Sequence, residues 1–382
     1  MAKLNLPDRD LTLTEIDKAL EEKQKTEGNR KYLGMSQIGE PCRRKLFYSF
    51  RAAESRVISA QGIKAIQDGF MQEDVMAERL RLLPFIELHT TDPDNPKRQI
   101  GFSLLLDHFR GHCDGMILGL IEAPKTWHVW EHKSVNQKKF DLLKKIIQEK
   151  GEKEALAAWD EIYFSQAIIY MHESKTERHF LTVSTPGGRD YLSVRTDYNK
   201  KDAEAIIEKA RAIIFDNWVI PARLSDKREF FSCKWCDYQE ICHDGRIPQV
   251  NCKTCRYMEP VKDGKFNCSK TDKIIDDDSL FWAGCNSHLF NPALIPAELI
   301  EHQECSVLYK IGKTVFSNTD LSGLPDVSKP VDAIYTSKML RDEIRFIGNV
   351  KPQEITENPE VKAMGVNKVP KAWETNKRGL KV

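Results

Sequence analysis

The stretch from Gly111-His112-Cys113-Asp114-Gly115 to Trp127-His128-Val129-Trp130-Glu131-His132-Lys133 constrains this chain more than any other. Met116-Ile117-Leu118 and Val129-Trp130 are short apolar runs that read as buried strands, and the glycines around Asp114 read as a hairpin-like bend. Side chains two apart on a strand share a face, so Glu131 and Lys133 point one way and His132 the other. Two acidic residues on neighbouring strands, with an ammonium beside the second, suit a divalent-metal phosphodiesterase. Asp114 and Glu131 offer hard oxygen ligands to Mg²⁺ or Mn²⁺, and the His132 carbonyl offers another. Lys133 would orient the attacking water or offset negative charge developing on the phosphate. The same residue types also occur on ordinary solvated strand edges, so the reading depends on the surroundings.

Those surroundings are a chain of 382 residues, long enough for two or three domains, with 41% hydrophobic residues to build a core. Lysine and arginine number 58 against 57 aspartates and glutamates, so a nucleic-acid surface would have to be a local patch. No apolar run approaches membrane-spanning length and the first twenty residues are too polar for a signal peptide, which places the expected site of action in the cytoplasm, nucleoid-associated or in a phage-infected host. In a reducing compartment, ten cysteines favour metal or cluster ligation over disulfides.

Along the chain, Thr12 to Lys25 reads as a short amphipathic helix capped by Thr12 or Thr14. Met35 to Tyr48 starts as a turn and continues as a basic, aromatic helix, where Arg43, Arg44 and Lys45 would face phosphates or form a plain solvated face. Ile63, Ile66, Phe70, Val75, Leu80 and Leu83 recur at helical spacing. Gly69 inside that helix suggests close packing on a sheet, with Glu73 one turn further on, over the metal. Strands follow near 102–106, 115–118 and 127–130, then helices from Gln137 and across Ile162 to Tyr170, where Gln166 and Tyr170 share a face. Arg178–Val183 and Tyr191–Val194 read as strands about the turn Pro186-Gly187-Gly188, and Ala203–Trp218 as a closing helix. This order is an α/β core with a mixed sheet.

Gly69-x3-Glu73, Asp114, Glu131-x-Lys133 and Gln166-x3-Tyr170 together resemble the RecB-like branch of the PD-(D/E)XK nucleases, over about residues 35 to 245. The resemblance implies a restriction-endonuclease-like mixed sheet flanked by helices. It implies Glu73, Asp114 and Glu131 as metal ligands, Lys133 as the catalytic lysine, and Gln166 and Tyr170 as contacts to the substrate strand. Many members of that branch have histidine where Glu73 stands; glutamate is closer to the phage recombination exonucleases, and the number of metal ions stays open. Cys233-x2-Cys236-x5-Cys242 after this core, with Cys42 before it, resembles the 4Fe-4S staple of the iron-sulfur subgroup that includes AddB-type and CRISPR-adaptation nucleases. Zinc is the competing ion, with His243 able to replace Cys42.

After Pro248, Cys252-x2-Cys255, Cys268 and Cys285-x2-His288 resemble a small zinc-binding module with five candidate ligands for four places. The expected set is Cys252, Cys255, Cys268 and Cys285, with His288 as alternate or supporting donor. Cys113 and Cys305 read as ordinary core thiols. A hairpin about Gly312 is expected over residues 305–316, then a loosely ordered tail carrying Lys368, Lys371, Lys377 and Lys381. The expected domains are thus a nuclease core with its staple (1–247), a zinc module (248–300), and a hairpin with basic tail (301–382). The expected function is a metal-dependent DNA exonuclease of recombination, repair or replication, with DNA and a recombination or replication partner protein as the expected partners and no membrane. A non-catalytic iron-sulfur DNA-binding partner and a CRISPR-adaptation-type endonuclease are the alternatives.

Overall fold

The structure, a computed structural model, describes residues 10–26, 29–55, 57–320 and 331–352. The chain divides into two compact units, Met1–Pro41 with Arg56–Arg211 and Cys42–Ser55 with Ala212–Val382. The lysines expected in a basic tail lie outside the described residues.

The first unit is built on a mixed five-stranded sheet in the order Glu87–His89, Gly115–Leu118, His128–Ser134, Arg178–Ser184, Tyr191–Asp197. His128–Ser134 pairs antiparallel with Gly115–Leu118 and parallel with Arg178–Ser184. A parallel pair needs a crossover. Helices Gln137–Lys150, Glu152–Trp159 and Glu161–Ser174 supply it. Asn136 caps the first by accepting the Lys139 amide at 2.9 Å, and Asp160 caps the third by accepting those of Ile162 and Tyr163.

Alternation sorts the sheet into two faces. Trp130 and Phe180 pack with Ile117 against Met76 and Ala77 of helix Ala60–Arg81. Leu181, Val183 and Val194 instead join Phe140, Leu143, Leu156 and Ala167 from the crossover helices. This mixed, helix-flanked α/β architecture is the coarse fold expected from the sequence.

Several local expectations are corrected. Glycines around Asp114 do not make a hairpin: Phe109–His112 belongs to a separate sheet with Leu33–Gly34 and Gly101–Leu104, and the chain changes sheets at Cys113-Asp114. Gly69 is not a close-packing glycine, because a Cβ there would meet open space. The apolar series on its helix is only partly interior, since Ile63 is buried whereas Ile66 and Phe70 are exposed. At the first helix, Leu11–Thr26, Asp10 rather than a threonine accepts the Leu13 amide.

The second unit contains helix Arg43–Phe50, a three-stranded antiparallel sheet (Met258–Pro260, Phe266–Cys268, Lys273–Ile274) and a four-stranded sheet (Glu298–His302, Ser306–Ile311, Thr314–Thr319, Ala333–Tyr335). The expected hairpin is present, with Tyr309 opposite Phe316 and Gly312 at φ +57° in its turn. One apolar cluster draws Ile247, Leu289, Phe290, Val307, Phe316 and Tyr335 together from both sides of residue 300. Among the described residues no helix is long and apolar enough to cross a membrane.

Candidate active site

The central strand of the first unit brings several of the candidate residues together. Its last pair with Gly115–Leu118 is Trp130 opposite Gly115. Beyond that point Glu131 to Ser134 have a partner only on the Arg178–Ser184 side. Asp114, one residue before Gly115, fills the place of the missing ladder: its Oδ2 accepts the His132 amide at 2.7 Å. The sheet therefore delivers Asp114 to the strand that holds Glu131.

Period-two alternation holds here. Lys133 Nζ donates to Glu131 Oε2 at 2.7 Å, so the two share a face. The His132 ring turns the other way and hydrogen-bonds Thr182 Oγ1 and Ser184 Oγ, both at 3.0 Å. Glu131 is 2% exposed. Gln166 Nε2 also donates to Glu131 Oε2 at 3.2 Å and lies 3.2 Å from the Tyr170 hydroxyl, which accepts from it. The second oxygen, Glu131 Oε1, is buried and has no hydrogen-bond partner. A buried carboxylate with one unsatisfied oxygen is costly unless a cation or proton meets it.

Gln166 and Tyr170, expected to contact a substrate strand, are instead buried against the acidic centre. They brace Glu131, and Tyr170 packs on Phe102 with ring centroids 5.3 Å apart. Gly111 makes this possible, since a Cβ there would come within 2.7 Å of the Tyr170 ring and hydroxyl. Its role as the room for Tyr170 was hidden in the sequence. Cys113 is fully buried, as expected of a core thiol.

Glu73 enters from helix Ala60–Arg81, which is fastened to the strand end by the Ser134 hydroxyl donating to Asp68 at 3.1 Å. Burial, with the charge of Asp114 behind it, pushes the Glu73 carboxyl up to about 7 against the pull of Lys133. Glu131 is raised for the same reasons, burial first and then Asp114, with Glu73 adding to it. Asp114 is raised by burial, which outweighs Lys133 and the His132 amide. Burial disfavours the Lys133 charge, but Glu131 and Asp114 overcome it and hold the ammonium above its ordinary range. The four groups thus feel one another: three carboxylates crowd their charge around a single lysine. The donor set is hard oxygen, which matches Mg²⁺ or Mn²⁺.

In the second unit, Arg43 opens helix Arg43–Phe50, and Arg44 Nε donates to the Pro221 carbonyl at 2.7 Å. Cys42 is the residue before that helix, and Tyr48 on it packs 5.7 Å from the Tyr238 ring. The Cys233 thiol is raised by burial and by Cys242 and Cys42, and Cys236 is pushed up to about 11 by burial with Cys42 contributing. Cys42 and the downstream triplet lie in the same compact unit. His243 Nε2 is buried and without a hydrogen-bond partner. Cys252, Cys255, Cys268, Cys285 and His288 line a cavity of this unit. None of the ten cysteines forms a disulfide. Among the described residues, no three His, Cys, Asp or Glu side chains are grouped as they stand so that they could hold a metal ion. Neither the carboxylates nor either thiol set is closed.

No protein-family model and no curated protein matches the chain. Among solved structures, SSO0001 aligns at TM-score 0.34 and 14% identity, covering 61% of this chain and 96% of that one. An alkaline exonuclease (LHK-Exo) from Laribacter hongkongensis aligns at 0.33 and 11%, covering 51% and 90%. The same exonuclease in complex with dAMP aligns at 0.32 and 13%, covering 48% and 85%. Likenesses of this strength leave the functional reading to the side chains.

Proposed function

We propose that the first unit hydrolyses phosphodiester bonds in DNA with Mg²⁺ or Mn²⁺, as an exonuclease of recombination, repair or replication. The observation that carries the reading is the unsatisfied Glu131 Oε1, buried beside Asp114 and Lys133. Glu73, Asp114 and Glu131 would hold the ion, with the His132 carbonyl as a further donor, after side-chain rotation closes the set. Bound there, the ion supplies positive charge at the scissile phosphate.

The remaining work belongs to the chain. Lys133 keeps its proton under the two carboxylates, so it acts as a fixed positive donor that orients water and offsets charge on the phosphate. Gln166 holds Glu131 Oε2 and leaves Oε1 free. Tyr170 and Gly111 set the position of Gln166. Cys42, Cys233, Cys236 and Cys242 would carry a 4Fe-4S cluster, a reading supported by their thiol chemistry and their place in one unit.

The test is digestion of end-labelled linear DNA with Mg²⁺ by the wild type and Lys133→Ala. Loss of cleavage in the variant, with unchanged circular dichroism, is expected; undiminished cleavage contradicts the assignment. The open arrangement of the carboxylates favours one rival, a DNA-binding protein without catalysis. In that case wild-type protein binds the labelled DNA and leaves it intact. Cleavage of closed circular DNA would instead indicate an endonuclease.

A further inference from the structure

We propose that Cys252, Cys255, Cys268 and Cys285 bind one zinc ion at a structural site in the second unit. The inference does not depend on the phosphodiesterase reading. All four residues line one cavity of about 560 Å³. Each of the two spaced pairs sits on a tight turn: the Cys255 amide donates to the Cys252 carbonyl at 3.1 Å, and the His288 amide to the Cys285 carbonyl at 3.1 Å. Asn251 and Thr254 cap the first turn reciprocally, each side-chain oxygen accepting the other's amide at 3.1 Å.

His288 couples the turns. Its Nε2 donates to the Asn251 carbonyl at 3.0 Å and lies 3.2 Å from Thr254 Oγ1. It therefore fastens the Cys285 turn to the one that carries Cys252 and Cys255. Cys268 ends the strand Phe266–Cys268 opposite Met258, and its carbonyl accepts the amides of Thr271 and Asp272 in a third turn. Three turns thus place the four cysteines around one cavity.

The Cys255 sulfur accepts the backbone amides of Tyr257 and Leu289, which hold it in place at the cavity wall. Zinc is the soft, four-coordinate ion for four thiolates; binding would release their protons and draw the sulfurs together across the cavity. His288 positions the turns through Nε2, and its buried Nδ1 has no hydrogen-bond partner.

The test uses the full chain. Zinc is measured by mass spectrometry of the purified protein, and thiol protection by alkylation with iodoacetamide before and after a chelator. One zinc per chain is expected beyond any metal held by Cys233, Cys236 and Cys242, a fraction fixed by the Cys236→Ser variant. Cys252, Cys255, Cys268 and Cys285 should resist alkylation together and lose that protection together, while Cys305 is indifferent to the chelator. Cys268→Ser and Cys285→Ser should each lose the zinc. Alkylation of the four at the Cys305 rate in untreated protein overturns the proposal even if no variant folds. So does full zinc retention in Cys268→Ser.

Discussion

The acidic centre and the thiol cavity both gather groups that repel one another when ionised, but they do so by different means. Glu131 and Lys133 sit on a strand whose register fixes them, Asp114 is tied to that strand by the His132 amide, and the lysine supplies a counter-charge within the fold. The cavity cysteines sit on turns and, for Cys268, at the end of a three-residue strand, and Cys255 keeps its proton. A site with internal compensation can be built without its ion. One without it waits for the ion to be completed. Activity should therefore be lost most sharply from the first site, and local order from the second.

The largest effect is expected from Asp114→Asn. It removes the charge while keeping an acceptor for the His132 amide, so DNA cleavage should fall by about 10³-fold or more with the fold retained. Steady-state kinetics with circular dichroism checks both halves.

Chelation is expected to act on the other region. Hydrogen exchange should rise across residues 252–288 when a strong chelator is added, and stay unchanged in His128–Ser134. Equal loosening of both would erase the distinction drawn between them.

Gln166→Leu should cost roughly 10–100-fold in activity or in apparent Mg²⁺ affinity, because Gln166 acts through Glu131. A Mg²⁺ titration of activity separates this from misfolding.

The pH dependence of Mg²⁺ stabilisation follows from the raised carboxyls. Glu73 and Glu131, shifted up to about 7 and about 8, bind protons in the folded metal-free protein that the unfolded chain has released above about 4.5. Stability of the metal-free protein should fall as pH rises through that window. The cation competes with those protons, so the Mg²⁺-induced rise in Tm should be larger at pH 8.5 than at pH 6.

The smallest effect is Gly69→Ala. Its Cβ meets open space within a helix, so a stabilisation of about 0.5–1 kcal/mol is expected in urea unfolding, with cleavage unchanged.

The sequence exposes what is periodic and hides what is long-range. Glu131 with Lys133 and Gln166 with Tyr170 were legible because two-residue and four-residue spacings map directly onto strand and helix faces. The spacing could not say that the helix face would turn inward onto Glu131 and not outward to a substrate. Glycine is ambiguous for the same reason: Gly69 and Gly111 look alike in sequence, and only packing shows that Gly111 makes room for Tyr170. The change of sheet at Cys113-Asp114 was missed because a turn signal does not name the partner strand. Likewise, nothing local in Cys42–Ser55 marks it as part of the unit formed by Ala212 onward.

The most direct test of the central claim is Mn²⁺ binding followed by electron paramagnetic resonance, comparing wild type with Asp114→Asn and Glu131→Gln at pH 8. The account predicts a bound-ion signal in the wild type that disappears in both variants. Equal Mn²⁺ binding by all three proteins, or none by the wild type, would contradict it.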